Sequence, residues 1–296
     1  MGQKDMAEKL LADYNDVFAD IVNVLLFDGR DEVSEDDLVE TKVKSQYKAD
    51  DSKLHEQERD VAKILKKDNV KIVLLGLENQ TAIDADMPLR CLAYDGASYR
   101  SQLLNKSAER YPVITVVLYF GMDRWDKSRH LSETVHVPEI WKPYFNDYQA
   151  HVFEIAYLSP EQVKMFKSDF GIVADYFVQK RMTGDYIGSS EDIRHIDEVM
   201  KLLAVFADKR FMDNMVISSS KRRPKNMCEV LDRIEEKGRT EGRIEGQKQG
   251  FEQGMEIGML KGQIIMLSDT FGYSDKEIAN TLNIPVSKVN SVLKNR

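Results

Sequence analysis

The sequence predicts a mixed α/β fold, with helices packed on a small sheet and a helical C-terminal extension. Three observations carry that prediction. The stretches RDVAKILKK (59–67) and KIVLLGLENQ (71–80) flank a turn at Asp68-Asn69 and read as a β-hairpin. The run PVITVVLYF (112–120), bounded by Pro112 and Gly121, reads as a buried strand. Helical periodicity occurs before, between and after these strands.

The first 30 or so residues read as a helix, because Leu10, Leu11, Tyr14, Val17, Phe18, Ile21, Val22, Leu25 and Leu26 recur at helical spacing. Asp16 and Asp20, four apart, share one face of it, and Gly29 supplies a stop. Residues 31–58 are polar and charged and read as a loop with short helical pieces. The hairpin strands fall at about 59–66 and 71–78. Pro88 then opens a helix that runs to about Asn105. HVFEIAYL (151–158) alternates as a further strand, and residues 160–216 look helical. Ser218-Ser219-Ser220-Lys221-Arg222-Arg223 forms a polar, basic break. The expected organisation is a core over 1–160, a helical extension packed on it over 161–225, a glycine-periodic helix over 226–265 and a small helical hairpin over 266–296.

Composition narrows the function classes. With 296 residues, 42% of them hydrophobic, the chain can bury a sizeable core. It has no apolar run of membrane-spanning length, and its charged start does not resemble a signal peptide, so a cytoplasmic protein is expected. The Met-Gly start lacks the Ser or Thr at position 6 that myristoylation calls for. Cys91 and Cys228 fit no disulfide or zinc spacing, and the five histidines show no ligand pattern. A net charge of −8 argues against coating nucleic acid through bulk charge, but it leaves room for metal-binding carboxylates beside a local docking surface.

The sharpest local signal is Glu78-Asn79-Gln80, a carboxylate at the end of an apolar strand. Asp60, at the start of the preceding strand, is placed by the hairpin to meet it. Two carboxylates on adjacent strands suit a hard divalent cation such as Mg²⁺, Mn²⁺ or Ca²⁺, with the Asn79 carbonyl as a third oxygen. Such a cation activates water and neutralises charge on a phosphoryl group. Gln80 shares the sheet face of Glu78.

This ordered set resembles the PD-(D/E)XK nuclease superfamily, and within it the bacterial recombination-promoting nuclease / putative transposase family. The residues that carry the resemblance are Asn15-Asp16-Val17-Phe18, Asp60, Glu78-Asn79-Gln80 and Arg90-Cys91-Leu92-Ala93-Tyr94, followed by Tyr99, Gln102 and the glycine-rich tail. The resemblance implies a restriction-endonuclease-like core that cuts DNA in recombination or mobile-DNA processes. It implies metal ligation by Asp60, Glu78 and Asn79, help from Asp16 on the first helix, and orientation of water or phosphate by Gln80. Arg90 and Gln102 are the expected phosphate contacts, with Tyr94 and Tyr99 read as packing residues. Two positions depart from the superfamily pattern. Gln80 stands where the superfamily has a lysine and brings no charge, and Arg59 stands where the proline of the name would be.

Gly238, Gly242, Gly246, Gly250, Gly254, Gly258 and Gly262 recur every four residues among good helix formers. Each glycine costs a helix roughly 1 kcal/mol relative to alanine. The segment is therefore either a spacer or a helix stabilised by close packing, as in a homodimer. A repeat of four exceeds the helical period, so the stripe drifts and favours right-handed wrapping. Charges between the glycines exclude a membrane role. Ser274 with Glu277 fits a capping box, and Asn283-Ile284-Pro285 makes a turn before a last helix. The outline is that of a helix-turn-helix in which Lys288, Asn290, Ser291 and Lys294 face DNA, or of a hairpin that caps the tail. The expected function is a metal-dependent DNA endonuclease. The alternatives are a DNA-binding scaffold that has kept the fold without activity, and an interaction module working through its tail.

Overall fold

The computed structural model describes residues 9–41, 44–48, 54–58, 60–68, 70–105, 110–206 and 224–294. The basic break at 218–223 lies outside them. The strands are β1 (Leu38–Glu40), β2 (Lys44–Lys48), β3 (Leu54–Glu58), β4 (Val61–Lys67), β5 (Val70–Gln80), β6 (Val113–Tyr119) and β7 (His151–Glu154). The helices are α1 (Asn15–Phe27), α2 (Met87–Leu104), α3 (Leu131–Thr134), α4 (Pro160–Met165), α5 (Phe170–Thr183), α6 (Ile196–Phe206), α7 (Met227–Asp269), α8 (Asp275–Leu282) and α9 (Val286–Lys294).

The central sheet has the order β1-β4-β5-β6-β7, and β2 pairs with β3 in a separate two-stranded sheet. β4 runs antiparallel to its neighbours β1 and β5, while β5, β6 and β7 are mutually parallel. A parallel pair needs a crossover, and α2 supplies it between β5 and β6. β5 is apolar on both faces because both faces are covered: Leu74, Leu75 and Leu77 are each at most 3% exposed. On one face, Met87 and Cys91 of α2 pack with Val117, Tyr119 and Val152. On the other, Phe120 meets Phe170 and Phe177 of α5 and Phe206 of α6. Lys63 of β4 sits over the Phe18 ring of α1.

Period-2 alternation places Lys63 in phase with the core residues Val61 and Leu65, and its side chain is fully buried. Its ammonium donates to the Asp13 carbonyl (2.6 Å) and to Asn15 Oδ1 (2.8 Å). This latch accounts for one departure from expectation. The N-terminal helix is interrupted: residues 9–12 are helical, the chain turns at Asp13-Tyr14, and α1 begins at Asn15. Two further corrections concern strands. Where helical pieces were expected in 31–58, the described residues hold a single 3₁₀ turn (Glu35–Asp37) and otherwise form β1 and the β2–β3 hairpin. The strand expected over 151–158 ends at Glu154, and Ile155–Tyr157 forms a 3₁₀ turn.

The chain divides into two compact units, Met1–Leu231 and Asp232–Arg296. The segments expected as a core (1–160) and a helical extension packed on it (161–225) both fall in the first unit. In the second unit the glycine-periodic segment is helical throughout as part of α7, the 43 residues Met227–Asp269. Its far end packs with α8 and α9 through Ile264, Ile278, Ala279 and Val289. Glu277 Oε2 accepts the Ser274 N–H at 2.8 Å, as the capping signature requires. Among the described residues, no helix is long and apolar enough to cross a membrane.

Candidate functional site

β5 ends its apolar run at Leu77, and Glu78 follows with only 3% exposure. A buried carboxylate needs partners. Glu78 Oε1 accepts the Tyr94 hydroxyl (3.0 Å) and is bonded to Arg90 Nη2. Arg90 and Tyr94 are four apart on α2 and so lie one above the other. Arg90 also donates to Asp84 Oδ2 at 2.7 Å and to the Tyr94 oxygen at 3.2 Å, which fixes its guanidinium. Glu78 Oε2 is different: it is buried and accepts no hydrogen bond among the described residues. Burial pushes the Glu78 carboxyl up to about 7, with the nearby Asp60 charge adding to the rise and Arg90, Tyr94 and Lys9 opposing it. Burial, followed by the Glu78 charge, pushes the Tyr94 hydroxyl up to about 12.

Asp60 stands immediately before β4, and the pairing of Val61 with Leu77 sets it opposite Glu78. Its Oδ2 accepts the Asn79 backbone N–H at 2.8 Å, and its Oδ1 pairs with Lys9 Nζ at 3.0 Å. In a strand the N–H and C=O of one residue point to the same side. The Asn79 carbonyl therefore faces the Asp60 side of β5, while its side chain, on the opposite sheet face from Glu78, is buried with Nδ2 unpartnered among the described residues. Gln80 follows on the Glu78 face at the strand end, half-buried, and its carbonyl accepts the Phe120 N–H at 2.8 Å.

Of the remaining expected residues, Arg90 belongs to this site and the others lie elsewhere. Asp16 is engaged by Arg194 Nη1 (2.9 Å) and His195 Nε2 (3.1 Å), and the His195 ring stacks on Tyr14 with 3.7 Å between centroids. Gln102, expected to contact phosphate, is 3% exposed. Its amide exchanges two 3.0 Å hydrogen bonds with the Tyr111 backbone, tying the end of α2 to the segment before β6. Arg90, expected to contact phosphate, is committed to Glu78 and Asp84. Asp95 clamps the middle of α2, accepting from Thr115 and Tyr148 at 2.7 Å each. In the second unit Lys288, Ser291 and Lys294 lie exposed at helical spacing on α9, whereas the Asn290 Oδ1 is turned inward and buried.

The chemistry of the first of these places is that of a hard-cation donor set. Its donors are hard oxygens: Glu78 Oε2, the Asp60 carboxylate and the Asn79 carbonyl. An unpartnered buried carboxylate oxygen is what a cation would satisfy. Among the described residues, no group of three or more His, Cys, Asp or Glu side chains is placed to hold a metal.

Residues 36–209, more than half of the chain, match the model of a family described as "Putative transposase, YhgA-like". The matched stretch contains Asp60, Glu78, Gln80, Arg90 and Tyr94. Comparison with curated proteins gives no match, and comparison with solved structures gives none either.

Proposed function

The chain belongs to the family described as "Putative transposase, YhgA-like", and on that premise we propose that it is a metal-dependent DNA endonuclease with a PD-(D/E)XK-type core, acting in recombination or DNA mobility. One observation carries the reading: at the end of β5 the buried Glu78 Oε2 has no partner among the described residues and lies near a second carboxylate, Asp60. The sheet order supports it. A hairpin presents Asp60 and Glu78 together, and a crossover helix then leads to a parallel strand.

Each residue has a part. Glu78, Asp60 and the Asn79 carbonyl hold Mg²⁺, Mn²⁺ or Ca²⁺. When bound, the cation acidifies water and neutralises charge on the scissile phosphate. Arg90 and Tyr94 fix Oε1 of Glu78, so that Oε2 is the oxygen left to ligate. Gln80 orients water or phosphate through its amide. Asp16 acts at a distance by anchoring the Arg194-His195 segment to α1. On α9, Lys288 and Lys294 supply phosphate contacts, and α7 pairs with a second copy along its glycines.

The test is nicking of supercoiled plasmid in Mg²⁺, Mn²⁺ or Ca²⁺ by the full chain, beside Glu78→Ala. Nicking that needs the cation and disappears in the variant supports the enzyme; equal nicking by both proteins would expose a contaminant and remove the reading. A second reading, a DNA-binding scaffold without activity, is favoured by the neutral Gln80. It predicts cation-independent DNA binding and no nicking by either protein.

A further inference from the structure

β5 brings no positive charge to its carboxylates, because Gln80 is neutral. Among the described residues, Arg90 and Lys9 reach them from other elements. Arg90 is fixed by Glu78, Asp84 and Tyr94 and is not free to turn. Lys9 is the other. It comes from the helical segment 9–12, and its Nζ lies 3.0 Å from Asp60 Oδ1 with 21% of the side chain exposed. Its charge is felt at Glu78 as well as at Asp60.

The approach of Lys9 is built into the fold. Leu11 and Ala12 of the same segment are at most 3% exposed. The next residues are latched by the buried Lys63, through the Asp13 carbonyl and Asn15 Oδ1. Asn15 in turn donates to the carbonyls of Glu35 (3.0 Å) and Leu38 (3.1 Å), the latter on β1. The backbone beneath Lys9 is thus held against the sheet, while its ammonium rides on a four-carbon stem with rotatable donors.

We propose that Lys9 is the mobile cation of this site: it neutralises Asp60 in the free protein and turns onto the substrate phosphate when a divalent cation takes Asp60, supplying the charge that Gln80 lacks. This rests on the nuclease reading and deepens it. Lys9 and an incoming cation compete for one carboxylate, so removing the lysine helps the cation and harms the phosphate contact. A residue that only supports the fold would weaken both.

The experiment uses the full chain with Lys9→Gln and Lys9→Arg. Mn²⁺ affinity is read by electron paramagnetic resonance, and duplex DNA affinity in Ca²⁺ by fluorescence anisotropy. In Lys9→Gln, Mn²⁺ should bind about two- to fivefold tighter, and DNA about tenfold more weakly. Nicking should slow about a hundredfold and largely return in Lys9→Arg. Unchanged or weaker Mn²⁺ binding by Lys9→Gln overturns the proposal, as does unchanged DNA affinity. Failure of the nuclease reading looks different: wild-type protein does not nick, yet the two affinities still shift in opposite directions, which supports the role of Lys9 as cation. If wild type nicks, Glu78→Ala does not, and Lys9→Gln nicks like wild type, Lys9 alone falls.

Discussion

At the end of β5, Glu78 is enclosed by Arg90, Tyr94 and Asp60, whereas along α7 a Cβ added at any of the seven ladder glycines would meet nothing within 4 Å. Both regions go against local preference. A charged group is buried in one, and the poorest non-proline helix former recurs through the other. In the sheet the offset lies inside the chain, in a guanidinium and a hydroxyl brought by α2. In the long helix no described residue around the glycines supplies one, while Ile244, Phe251, Met255 and Met259 also stand exposed on it. The contrast separates a site with partners inside the chain from a surface with none among the described residues, which is the basis for proposing a second copy there.

Four measurements break or sharpen this contrast. The largest effect is expected at the latch beneath the site. Lys63→Met leaves the Asp13 carbonyl and Asn15 Oδ1 without their donor and should cost about 3 kcal/mol in urea denaturation. A loss under about 0.5 kcal/mol would mean that the internal partners there matter no more than ordinary surface contacts.

The next effect is pH dependence. The folded Glu78 carboxyl is raised from 4.5 to about 7, so proton uptake stabilises the cation-free protein. That contribution is complete below pH 4.5 and is lost as pH rises through about 7. Cation binding needs the ionised form and runs the other way, weakening about tenfold per unit below pH 7. Calorimetric titration with Mn²⁺ from pH 5.5 to 8 checks this, and a flat profile would remove Glu78 from the ligands.

Third, Gly250→Ala tests the helix. With open space around it, alanine should stabilise the helix by roughly 1 kcal/mol in thermal melting followed by circular dichroism. Destabilisation, together with a change in sedimentation, would instead mean that two backbones approach closely at this position. The smallest effect belongs to α9, where Lys288→Glu with Lys294→Glu should weaken DNA retention several-fold and lower the salt slope by about 2. An unchanged slope would leave α8 and α9 as a hairpin that caps α7.

Much of the sheet was legible because its strands are apolar and bounded by breakers: the pairing of 61–67 with 70–80 and the buried strand 113–119 follow from pattern alone. β2 and β3 were not, since KSQYK and LHEQE carry too few apolar residues to show alternation. Glu78 was legible as a carboxylate in an apolar run, and Asp60 through the hairpin that faces it. The partners of Glu78 were legible only in part: Arg90 and Tyr94 fall on one helix face, but nothing local says that the face points at β5. The tie of Gln102 to Tyr111 left no signal, because nothing local says which backbone segment a helix amide will meet. Lys9 left no signal, as its meeting with Asp60 spans 51 residues and depends on the turn at Asp13. Lys63 left a faint one, a lysine in phase with Val61 and Leu65.

The family match begins at residue 36, after α1, yet Val17, Phe18, Ile21 and Val22 of that helix are wholly enclosed. A fragment trimmed to the matched boundaries would strip one face of the sheet of its cover and leave a greasy, aggregation-prone slab. For anyone expressing a minimal version of this protein, the workable starting point lies upstream of the recognised homology, at or before the segment that carries Lys9.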